Sequence, residues 1–497
     1  MTVATEVLTR GLFINGELVD ATDGATFDVM NPATGQVLAT IAKGGSADAD
    51  KAVAAARAAL TGKAYARMGA TARSRALHKF ADLLLESLDE LAELESKNVG
   101  KAISSVKAEI HGAAEVLRYF AAGVTGHTGT ASPLMGGGLM SYTLKQPIGV
   151  CAQIVPWNYP LMMSVWKLAP ALAAGCTIVL KPATYTPLTA LRLGELATEA
   201  GFPAGVVNVV PGPGSSMGSY LVQHPGVDKV AFTGDTSTGV EIMKLAAPGM
   251  KRLTLELGGK SPAIVFADAD MASAIPSSVW SIFYSAGQSC EARSRILVER
   301  SIHDEFVAKF VEMVGTLNVG DPLDPNTHVG SLIGEGQLKS VDEYVKIGAG
   351  EGATVAIGGA RVSDDVADGA FYQPTVLTGV TNDMRVAQEE IFGPVVVIIP
   401  FDDEADAVRI ANDVEYGLMA TVWTSDAARA HRVAAAVDSG LVGINMPYTA
   451  FPGVPFGGFK KSGFGRELSI ESLDEYTEDK GVIFNTSPRP ANPFRLK

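Results

Sequence analysis

The arrangement of apolar and polar residues changes character along the chain. Between Gly11 and Ile41 the two kinds of residue alternate around the Asn15-Gly16 turn signal, which predicts short strands and hairpins. Farther along, apolar residues recur at three- and four-residue spacing among good helix formers, which predicts amphipathic helices. These predicted helices cover residues 47–62, 71–96 and about 104–122.

After residue 148, short apolar runs typical of buried strands alternate with helix-like stretches, which predicts βαβ units around a parallel sheet. These runs are Val150–Val155, Thr177–Leu180, Val206–Val210, Lys229–Phe232 and Thr254–Leu255. A second region of the same kind extends from about Lys260 to Asn445 and includes Ser261–Phe266, Arg295–Val298 and Val395–Pro400. The expected fold class is α/β. The boundary is expected at Gly258-Gly259, because no low-complexity linker separates the two regions.

The segment from His127 to Pro147 differs from both regions. It contains consecutive glycines at 136–138, followed by an alternating stretch over Leu139–Leu144. Alternation after a glycine turn predicts a hairpin that stands away from the helices. We therefore expect a protruding or bridging element here.

Size and charge limit the classes of function. A chain of 497 residues and 51.8 kDa is too long for one hydrophobic core, so several domains are expected. The net charge of −14 and the pI near 5.1 argue against nucleic acid and anionic membranes as partners. The three cysteines are too few for a disulfide framework and fit a reducing compartment, so a cytoplasmic location is expected.

Two glycine-rich turns lie between a strand-like run and a helix-like run, at Pro211–Gly218 and Phe232–Gly239. Glycines at a helix N-terminus let a pyrophosphate approach backbone amides closely. Neither turn matches the GxGxxG fingerprint, so ordinary βα turns remain an alternative. Lys181 follows the run TIVL and is placed at the carboxyl end of a strand, where it is either a nucleotide-binding cation or a solvated lysine.

Cys290 lies in the polar loop GQSCEAR, after a helical pattern that begins near Ile275. A lone cysteine is usually a small buried apolar residue. Here the polar surroundings and the nearby Arg293 and Arg295 favour a partly exposed, reactive thiol. Glu291 would oppose thiolate formation if its carboxylate pointed the same way.

Glu256 and Asn158 are further candidates for chemistry. Glu256 stands in an apolar strand that ends in two glycines, and a desolvated carboxylate has a raised pKa suited to a general base. The alternative is that it faces solvent on an edge strand. Asn158, in the rigid loop PWNYP, offers an amide that either stabilises an oxyanion or caps a turn.

Taken in order, several motifs resemble the signature motifs of the aldehyde dehydrogenase superfamily. They are PWNYP, KPATYTP, FTGDTSTG, LELGGKSP, GQSC, EEIFGPV and PFGGFKKSGFGRE, and they span nearly the whole chain. The resemblance implies a Rossmann-like coenzyme domain, an α/β catalytic domain and a small bridging β-sheet. The implied limits are 1–125 with 148–258 for the coenzyme domain, 259–447 for the catalytic domain, 126–147 with 475–497 for the oligomerisation element, and 448–474 for a return to the coenzyme domain and the substrate tunnel.

The resemblance also implies a mechanism. Cys290 matches the nucleophile, Glu256 the general base, and Asn158 the side-chain half of an oxyanion hole whose other donor is the Cys290 amide. The thiolate adds to the aldehyde, hydride leaves for nicotinamide, and water activated by Glu256 hydrolyses the thioester to the acid. Lys167 and Glu467 match a relay that takes the proton from the base.

Coenzyme-binding residues follow from the same resemblance, and NAD or NADP is the implied cofactor. They are Val155, Pro156, Trp157, Lys181, Thr184, Gly214, Phe232, Gly234, Asp235, Thr236, Gly239, Leu257, Glu390 and Phe392. Two positions depart from the usual pattern. Thr184 replaces a glutamate that bonds the ribose in many NAD-preferring relatives, so use of NADP is a hypothesis. Asp235 stands where a small residue or serine meets the pyrophosphate, and its carboxylate would repel that group unless turned away.

The residues that match the substrate tunnel form a largely aromatic entrance. They are Tyr159, Met163, Trp166, Tyr284, Ser289 and Phe456. Such a wall favours aliphatic or aromatic aldehydes, and the alternative is an aminoaldehyde or betaine aldehyde held through cation–π contacts. A CoA-acylating dehydrogenase and a non-enzymatic structural protein are less favoured alternatives, since the first needs no hydrolytic base and the second needs none of these residues. The expected partner is a small aldehyde and the expected assembly is a homodimer or homotetramer, with no metal.

Overall fold

The computed structural model describes residues 8–132, 138–362, 368–447, 450–486 and 494. Part of each predicted domain lies outside the described residues. These parts are residues 1–7 of the predicted coenzyme domain, 363–367 of the predicted catalytic domain, 448–449 of the predicted tunnel segment, and, in the predicted oligomerisation element, 133–137 and the tail beyond residue 486 except residue 494.

Helices and strands alternate along most of the chain. The helices are α1 Ser46–Thr61, α2 Lys63–Ala66, α3 Ala70–Glu86, α4 Leu88–Val99, α5 Ile103–Gly123, α6 Pro160–Ala174, α7 Leu188–Glu199, α8 Ser219–Gln223, α9 Thr236–Ala246, α10 Met271–Phe283, α11 His303–Val314, α12 Glu335–Glu351, α13 Arg385–Gln388, α14 Glu404–Asn412 and α15 Ala427–Ala436. The strands are β1 Leu8–Arg10, β2 Leu12–Ile14, β3 Glu17–Val19, β4 Thr26–Asn31, β5 Gln36–Ala42, β6 Ala131–Ser132, β7 Leu139–Pro147, β8 Val150–Ile154, β9 Thr177–Lys181, β10 Val207–Val209, β11 Lys229–Thr233, β12 Arg252–Glu256, β13 Pro262–Val265, β14 Arg295–Glu299, β15 Thr354–Ile357, β16 Thr375–Thr378, β17 Val395–Phe401, β18 Tyr416–Gly417, β19 Met419–Trp423, β20 Leu441–Ile444, β21 Phe459–Lys460, β22 Gly463–Phe464 and β23 Thr477–Asn485.

The helical stretch predicted at 71–96 is two helices rather than one. α3 and α4 meet at Ser87, whose φ of −95° and ψ of 15° leave the helical region. Serine favours such a break because its short polar side chain competes with helical backbone hydrogen bonds. The predictions at 47–62 and about 104–122 correspond to α1 and α5.

The first sheet has eight strands in the order β22-β12-β11-β8-β9-β10-β2-β3. Strands β8 to β12 are mutually parallel and fully or largely buried, so the apolar runs predicted as parallel strands are confirmed. Their registers pair Ile154 with Lys181 and with Phe232, and Thr233 with Glu256. The carboxyl ends of these parallel strands therefore meet at one edge of the sheet.

The second sheet has seven strands in the order β15-β16-β17-β14-β13-β19-β20, all parallel except the edge strand β15. The chain leaves the first sheet at Glu256 and enters the second at Pro262. Helices pack against each sheet, such as α1, α6 and α7 on the first and α10, α11 and α14 on the second. The α/β fold class predicted from the sequence is confirmed.

A third, antiparallel sheet joins distant parts of the chain in the order β23-β7-β6. Strands β7 and β23 pair along their whole length, from Thr477 opposite Pro147 to Asn485 opposite Leu139. Its surface is partly apolar, and the side chains of Ile483 and Phe484 are 71% and 56% exposed. Across all the described residues, no helix combines the length and the apolar character that crossing a bilayer requires.

Candidate active site

A cavity of about 410 Å³ opens between the two large sheets. Its walls come from the carboxyl ends of β8, β11 and β12, the start of α6, and the loops that precede β14 and β17. Among the predicted site residues, the cavity is lined by Pro156, Trp157, Asn158, Tyr159, Met163, Trp166, Gly234, Asp235, Glu256, Tyr284, Ser289, Cys290, Glu390, Phe392 and Phe456. Residues from all parts of the chain therefore meet at the carboxyl edge of the first sheet.

Cys290 lies in a turn that follows α10, and a left-handed stretch of backbone sets its position. Ser285 and Ala286 have φ of 53° and 54°, which is uncommon outside glycine and costs conformational energy. Gly287 continues the stretch with φ of 71°, and a β-carbon there would lie 2.0 Å from the Gly393 carbonyl oxygen. The left-handed backbone and the close approach at Gly287 thus hold the loop that carries Cys290 against the loop before β17.

The surroundings of the Cys290 thiol favour its protonated form. Burial raises its pKa well above the ordinary value, and the carboxyl groups of Glu256 and Glu291 raise it further. The expectation that nearby arginines activate the thiol is wrong. Arg293 donates to the carbonyl oxygens of Glu291 and Pro447, at 3.2 and 2.5 Å, and Arg295 is fully buried and binds carbonyls of the second domain region, including that of Lys260 at 3.0 Å.

Glu256 is the last residue of β12 and is buried, with 4% exposure. Neither carboxylate oxygen has a partner in full hydrogen-bonding geometry among the described residues, but the Cys290 thiol lies close enough to lower the pKa of Glu256. Burial raises the pKa of this carboxyl group to about 8, and the neighbouring Glu467 adds to the effect. The strand is flanked by β11 and β22, so the alternative of a solvent-facing edge residue is excluded.

Glycine after Glu256 lets the cysteine loop come close to this strand. A β-carbon at Gly259 would lie 2.2 Å from the Cys290 carbonyl oxygen, and one at Gly258 would lie 2.4 Å from Glu390 Oε2. The contact at Gly259 is with backbone and is sterically impossible, so only glycine fits there, whereas a side chain at Gly258 would displace the Glu390 carboxylate. The motif LELGGKSP thereby places a carboxyl group and a thiol on the same cavity.

Asn158 precedes α6, whose first residue is Pro160, a residue well suited to a helix N-terminus. The side chain is buried, with 3% exposure, and its Nδ2 donates to the Gln288 carbonyl oxygen at 2.9 Å. This bond fixes the amide beside the cysteine loop and uses one of its two N–H groups. The second N–H is the one that can meet an oxyanion in the cavity.

Lys167 and Glu467 form a buried ion pair behind Glu256. Lys167 Nζ lies 2.5 Å from Glu467 Oε1, and the lysine side chain is only 1% exposed. α6 is buried along nearly its whole length, which explains how a lysine in its middle reaches no solvent. Glu467 raises the pKa of Glu256 and Lys167 lowers it, so the pair is close enough to act on the Glu256 carboxyl group electrostatically.

Lys181 ends β9 and is buried, with 4% exposure, so it is not a solvated lysine. Desolvation lowers its pKa to about 8. Its side chain runs over the first glycine-rich turn, because a β-carbon at Gly218 would lie 3.3 Å from Lys181 Cε. Gly214–Gly218 forms a single π-helical turn before α8, and Thr184 lies half-buried in the turn that follows β9.

The second glycine-rich turn carries its own helix cap. The Asp235 carboxylate accepts a hydrogen bond from the Thr238 backbone N–H at 3.1 Å and another from the Ser237 hydroxyl. It therefore faces the first amides of α9, where a pyrophosphate was expected, while also lining the cavity. Close packing explains the glycines of this turn, since a β-carbon at Gly239 would lie 2.6 Å from Leu257.

Glu390 and Phe392 enter the cavity from the loop before β17. Glu390 Oε1 accepts the Gly259 N–H at 2.9 Å, and burial raises the pKa of the Glu390 carboxyl group to about 7. Phe392 has φ of 56° and meets Trp157 edge to face, with ring centroids 5.2 Å apart. Beneath them Lys260, which sequence reasoning missed, is fully buried, and desolvation lowers its pKa to about 7.

The remaining predicted coenzyme residues do not line the cavity. They are Val155, Lys181, Thr184, Gly214, Phe232, Thr236, Gly239 and Leu257. All of them lie at or just beyond the carboxyl ends of β8, β9, β10, β11 and β12, or in the helix starts that follow. They therefore share the same edge of the first sheet as the cavity.

The predicted tunnel residues all line the other end of the cavity. Trp166 and Phe456 meet edge to face at 5.1 Å, and Tyr159 stacks on Tyr284 at 6.4 Å. Sequence reasoning missed several further lining residues from α5, α6 and α10: Ala108, Glu109, Gly112, Val116, Met162 and Trp280. Helical spacing signals that these residues share a helix face with others, but not that the face lines a cavity.

An unpredicted acidic residue, Glu109, also reaches the tunnel end. It accepts hydrogen bonds from Tyr284 at 2.6 Å and from Lys101 Nζ at 2.7 and 2.8 Å. Lys101 Nζ in turn lies 3.7 Å from the centroid of the Tyr159 ring.

Glu291, to which the sequence assigned no role, also lines the cavity. Its carboxyl group raises the pKa of Cys290, as its position next to the cysteine in the chain suggested.

Comparison with known proteins agrees with this geometry. The family model described as "Aldehyde dehydrogenase family" matches residues 18–482. The chain is 42% identical to a betaine aldehyde dehydrogenase of Bacillus subtilis (98% of this chain, 100% of that protein) and 46% identical to an aldehyde dehydrogenase of Emericella nidulans (95% of each). The NAD+ complex of an aldehyde dehydrogenase from Bacillus cereus superposes with a TM-score of 0.94 at 44% identity, covering 96% of both chains. A match of this extent, on a fold and a site that agree with it, shows that the chain belongs to the aldehyde dehydrogenase family.

Proposed function

We propose that the protein oxidises an aldehyde to the carboxylic acid with NAD or NADP, using Cys290 as the nucleophile. One observation carries the assignment of roles: a thiol, a carboxyl group with a pKa raised to about 8 and a side-chain amide share one cavity. Cys290, Glu256 and Asn158 supply these groups from three distant parts of the chain. The CoA-acylating alternative has no use for the buried base.

The edge of the first sheet suits a dinucleotide. Lys181 offers a buried cation beside the Gly214–Gly218 turn, and glycines keep the backbone accessible there. Glu390 and Phe392 enter the cavity from the opposite side and fit the nicotinamide riboside end. The NAD+ complex of the Bacillus cereus relative supports NAD, while Thr184 in place of a glutamate leaves a 2′-phosphate unopposed. Asp235, which caps α9, would oppose a pyrophosphate at that helix, so we assign the pyrophosphate to the other glycine-rich turn.

The chain's own residues account for the bond changes. The Cys290 thiol loses its proton to solvent and its sulfur bonds to the aldehyde carbon, giving an oxyanion held by the Asn158 N–H and the Cys290 amide. A nicotinamide ring held by Glu390 and Phe392 would supply the hydride acceptor, and loss of hydride from that carbon would leave a thioester on Cys290. Glu256 then takes a proton from water, the hydroxide attacks the thioester, and the carbon–sulfur bond breaks to release the acid and the Cys290 thiolate.

A base with a pKa near 8 is suited to the activation of water, because it exchanges protons readily at neutral pH. Each turnover leaves a proton that must go to solvent. The Lys167–Glu467 pair lies behind Glu256 and acts on its pKa, which supports it as the next carrier. Glu467 is the more exposed member of the pair, at 12% against 1% for the lysine.

The strand pairing supports a proposal for the domain limits and for the assembly. We propose that the coenzyme domain contains the first sheet, the catalytic domain the second, and that β7 with β23 forms the bridging element of a homodimer or homotetramer. The exposed Ile483 and Phe484 on β23 support burial of this surface by a second subunit.

The substrate class we propose is an aliphatic or aromatic aldehyde, which the aromatic tunnel walls support.

Replacement of the nucleophile tests the function. Cys290→Ala is expected to abolish reduction of NAD and NADP, followed at 340 nm with hexanal and benzaldehyde. Cys176→Ala is the matched control, since Cys176 is buried away from the cavity and should leave turnover near that of the wild type. Undiminished oxidation in Cys290→Ala would refute the mechanism, and formation of acyl-CoA with added free CoA would refute hydrolysis as the release step.

A further inference from the structure

A buried glutamine connects the loop that carries Cys290 to the segment 331–333. Gln288 precedes Cys290 by two residues and is 1% exposed. Its Nε2 donates to the carbonyl oxygens of Ser285 and Ser331, at 3.1 and 3.4 Å, and its Oε1 accepts the Ile333 backbone N–H at 2.9 Å. All three partners are main-chain groups. This side chain therefore acts on the position of the backbone on either side of it.

The segment 331–333 is itself held in place. The Ser331 N–H donates to the Gly100 carbonyl oxygen at 2.9 Å, and the Leu332 N–H donates to that of Ala370 at 2.8 Å. A β-carbon at Gly100 would lie 2.0 Å from Ser331 Oγ, so the two chain segments are in close contact. The hydrogen bonds of Gln288 thus tie the cysteine loop to a support that is anchored from two other directions.

The main-chain carbonyl of Gln288 is the acceptor that orients Asn158. Asn158 Nδ2 donates to this oxygen at 2.9 Å. The amide group is planar, so the direction of one N–H sets the direction of the other. Hydrogen bonds weaken steeply as their angle departs from linear, so a shift of the Gln288 carbonyl would turn the second N–H away from an oxyanion.

We propose that Gln288 is a positioning residue of the oxyanion hole, because its side chain holds its own carbonyl where the Asn158 amide must bind it. This inference rests on the proposed function, since an oxyanion forms only if Cys290 attacks the aldehyde. Gln288 does not line the cavity, so its effect must pass through Asn158. Loss of its hydrogen bonds should slow the steps that form an oxyanion and leave coenzyme binding unchanged.

Gln288→Met removes the three side-chain hydrogen bonds and keeps the length of the side chain. We expect kcat with hexanal to fall at least tenfold and the KM for NAD to stay within twofold of the wild type. Alkylation of Cys290 by iodoacetamide forms no oxyanion, so its rate should stay within threefold. Asn208→Leu is the matched control and should retain kcat. Asn208 is a buried amide of β10 whose Nδ2 donates to two carbonyl oxygens and whose Oδ1 accepts one backbone N–H.

A double-mutant cycle shows whether the effect passes through Asn158. In an Asn158→Ala background, Gln288→Met is expected to lower kcat by less than threefold further. A further tenfold fall would overturn the inference, because the two residues would then act independently. So would a kcat of Gln288→Met within threefold of the wild type. A loss of Cys290 alkylation as large as the loss of kcat would also overturn it, since damage to the nucleophile would explain both.

Gln288→Glu covers the case in which Gln288→Met fails to fold. Burial keeps the new carboxyl group neutral at pH 6, where it can donate one hydrogen bond and accept another. Once ionised it can only accept, and it then faces the carbonyl oxygens of Ser285 and Ser331 without a donor. The kcat of this variant relative to the wild type should fall at least fivefold between pH 6 and pH 10.

Asn208→Asp makes the same change of amide to carboxyl in β10, and its kcat relative to the wild type should stay constant over that range. A relative kcat of Gln288→Glu that is constant within twofold would contradict the positioning role. If the wild type oxidises hexanal in any of these contrary cases, the proposed function stands. If it oxidises no aldehyde with either coenzyme, the proposed function itself fails.

Discussion

Glutamine in place of Glu256 separates the two halves of the reaction. The substitution keeps the size of the side chain but removes the base, and general-base catalysis contributes roughly 10²–10⁴ in rate. We expect a rapid burst of about one NADH per subunit, followed by turnover reduced by at least a hundredfold. The burst measures formation of the thioester, and the slow phase measures its hydrolysis.

The raised pKa of Glu256 predicts a second measurable effect of the same substitution, on pH dependence. With a pKa of about 8, about a tenth of Glu256 is ionised at pH 7 and about nine-tenths at pH 9, so hydrolysis by the wild type should rise roughly tenfold over that range. Burial favours the neutral form of Glu256 in the folded state. Its contribution to the free energy of unfolding is therefore complete below pH 4.5, the ordinary pKa of the group, and is lost as pH rises through about 8. Between pH 6 and pH 8 the wild type should lose on the order of 2 kcal/mol of unfolding free energy through this group, a loss that Glu256→Gln removes.

Stopped-flow absorbance at 340 nm, mass spectrometry of the acyl enzyme and thermal melts at pH 6 and pH 8 provide the measurements. Glu95→Gln is the matched control, because Glu95 is also buried with a pKa raised to about 7 but does not line the cavity. It should retain steady-state hydrolysis. A Glu256→Gln enzyme that turns over within tenfold of the wild type would refute the role of Glu256 in hydrolysis. Loss of both burst and turnover would assign Glu256 to the thiol step alone, against the mechanism proposed.

Two further substitutions test other parts of the site. Asn158→Ala removes one oxyanion donor and should lower kcat by roughly 10²–10³, with little change in the KM for coenzyme; a loss below fivefold would show that the amide does not face the oxyanion. Thr184→Glu places a negative charge in the turn after β9 and should raise the preference for NAD over NADP at least tenfold, measured as the ratio of kcat/KM values. A wild type that already prefers NAD at least a hundredfold would end the hypothesis of NADP use.

The sequence by itself determined the α/β architecture. Buried parallel strands are nearly continuous apolar runs, and β8, β9 and β11 are such runs, so local sequence was enough to find them. Ordered motifs then located the family and the candidate nucleophile. The break at Ser87 escaped prediction, because the hydrophobic spacing on both sides is helical and a single ψ angle changes the outcome.

Only the tertiary structure decided the electrostatics of the site. Proximity along the chain suggested that Arg293 and Arg295 activate Cys290, but both side chains bind backbone carbonyls, while Glu256 and Glu291 hold the thiol protonated. Burial and pairing across distant segments set a pKa, and neither can be obtained from local sequence. The same reason hid Glu109: its role depends on Lys101, Tyr159 and Tyr284, and only folding brings these residues together.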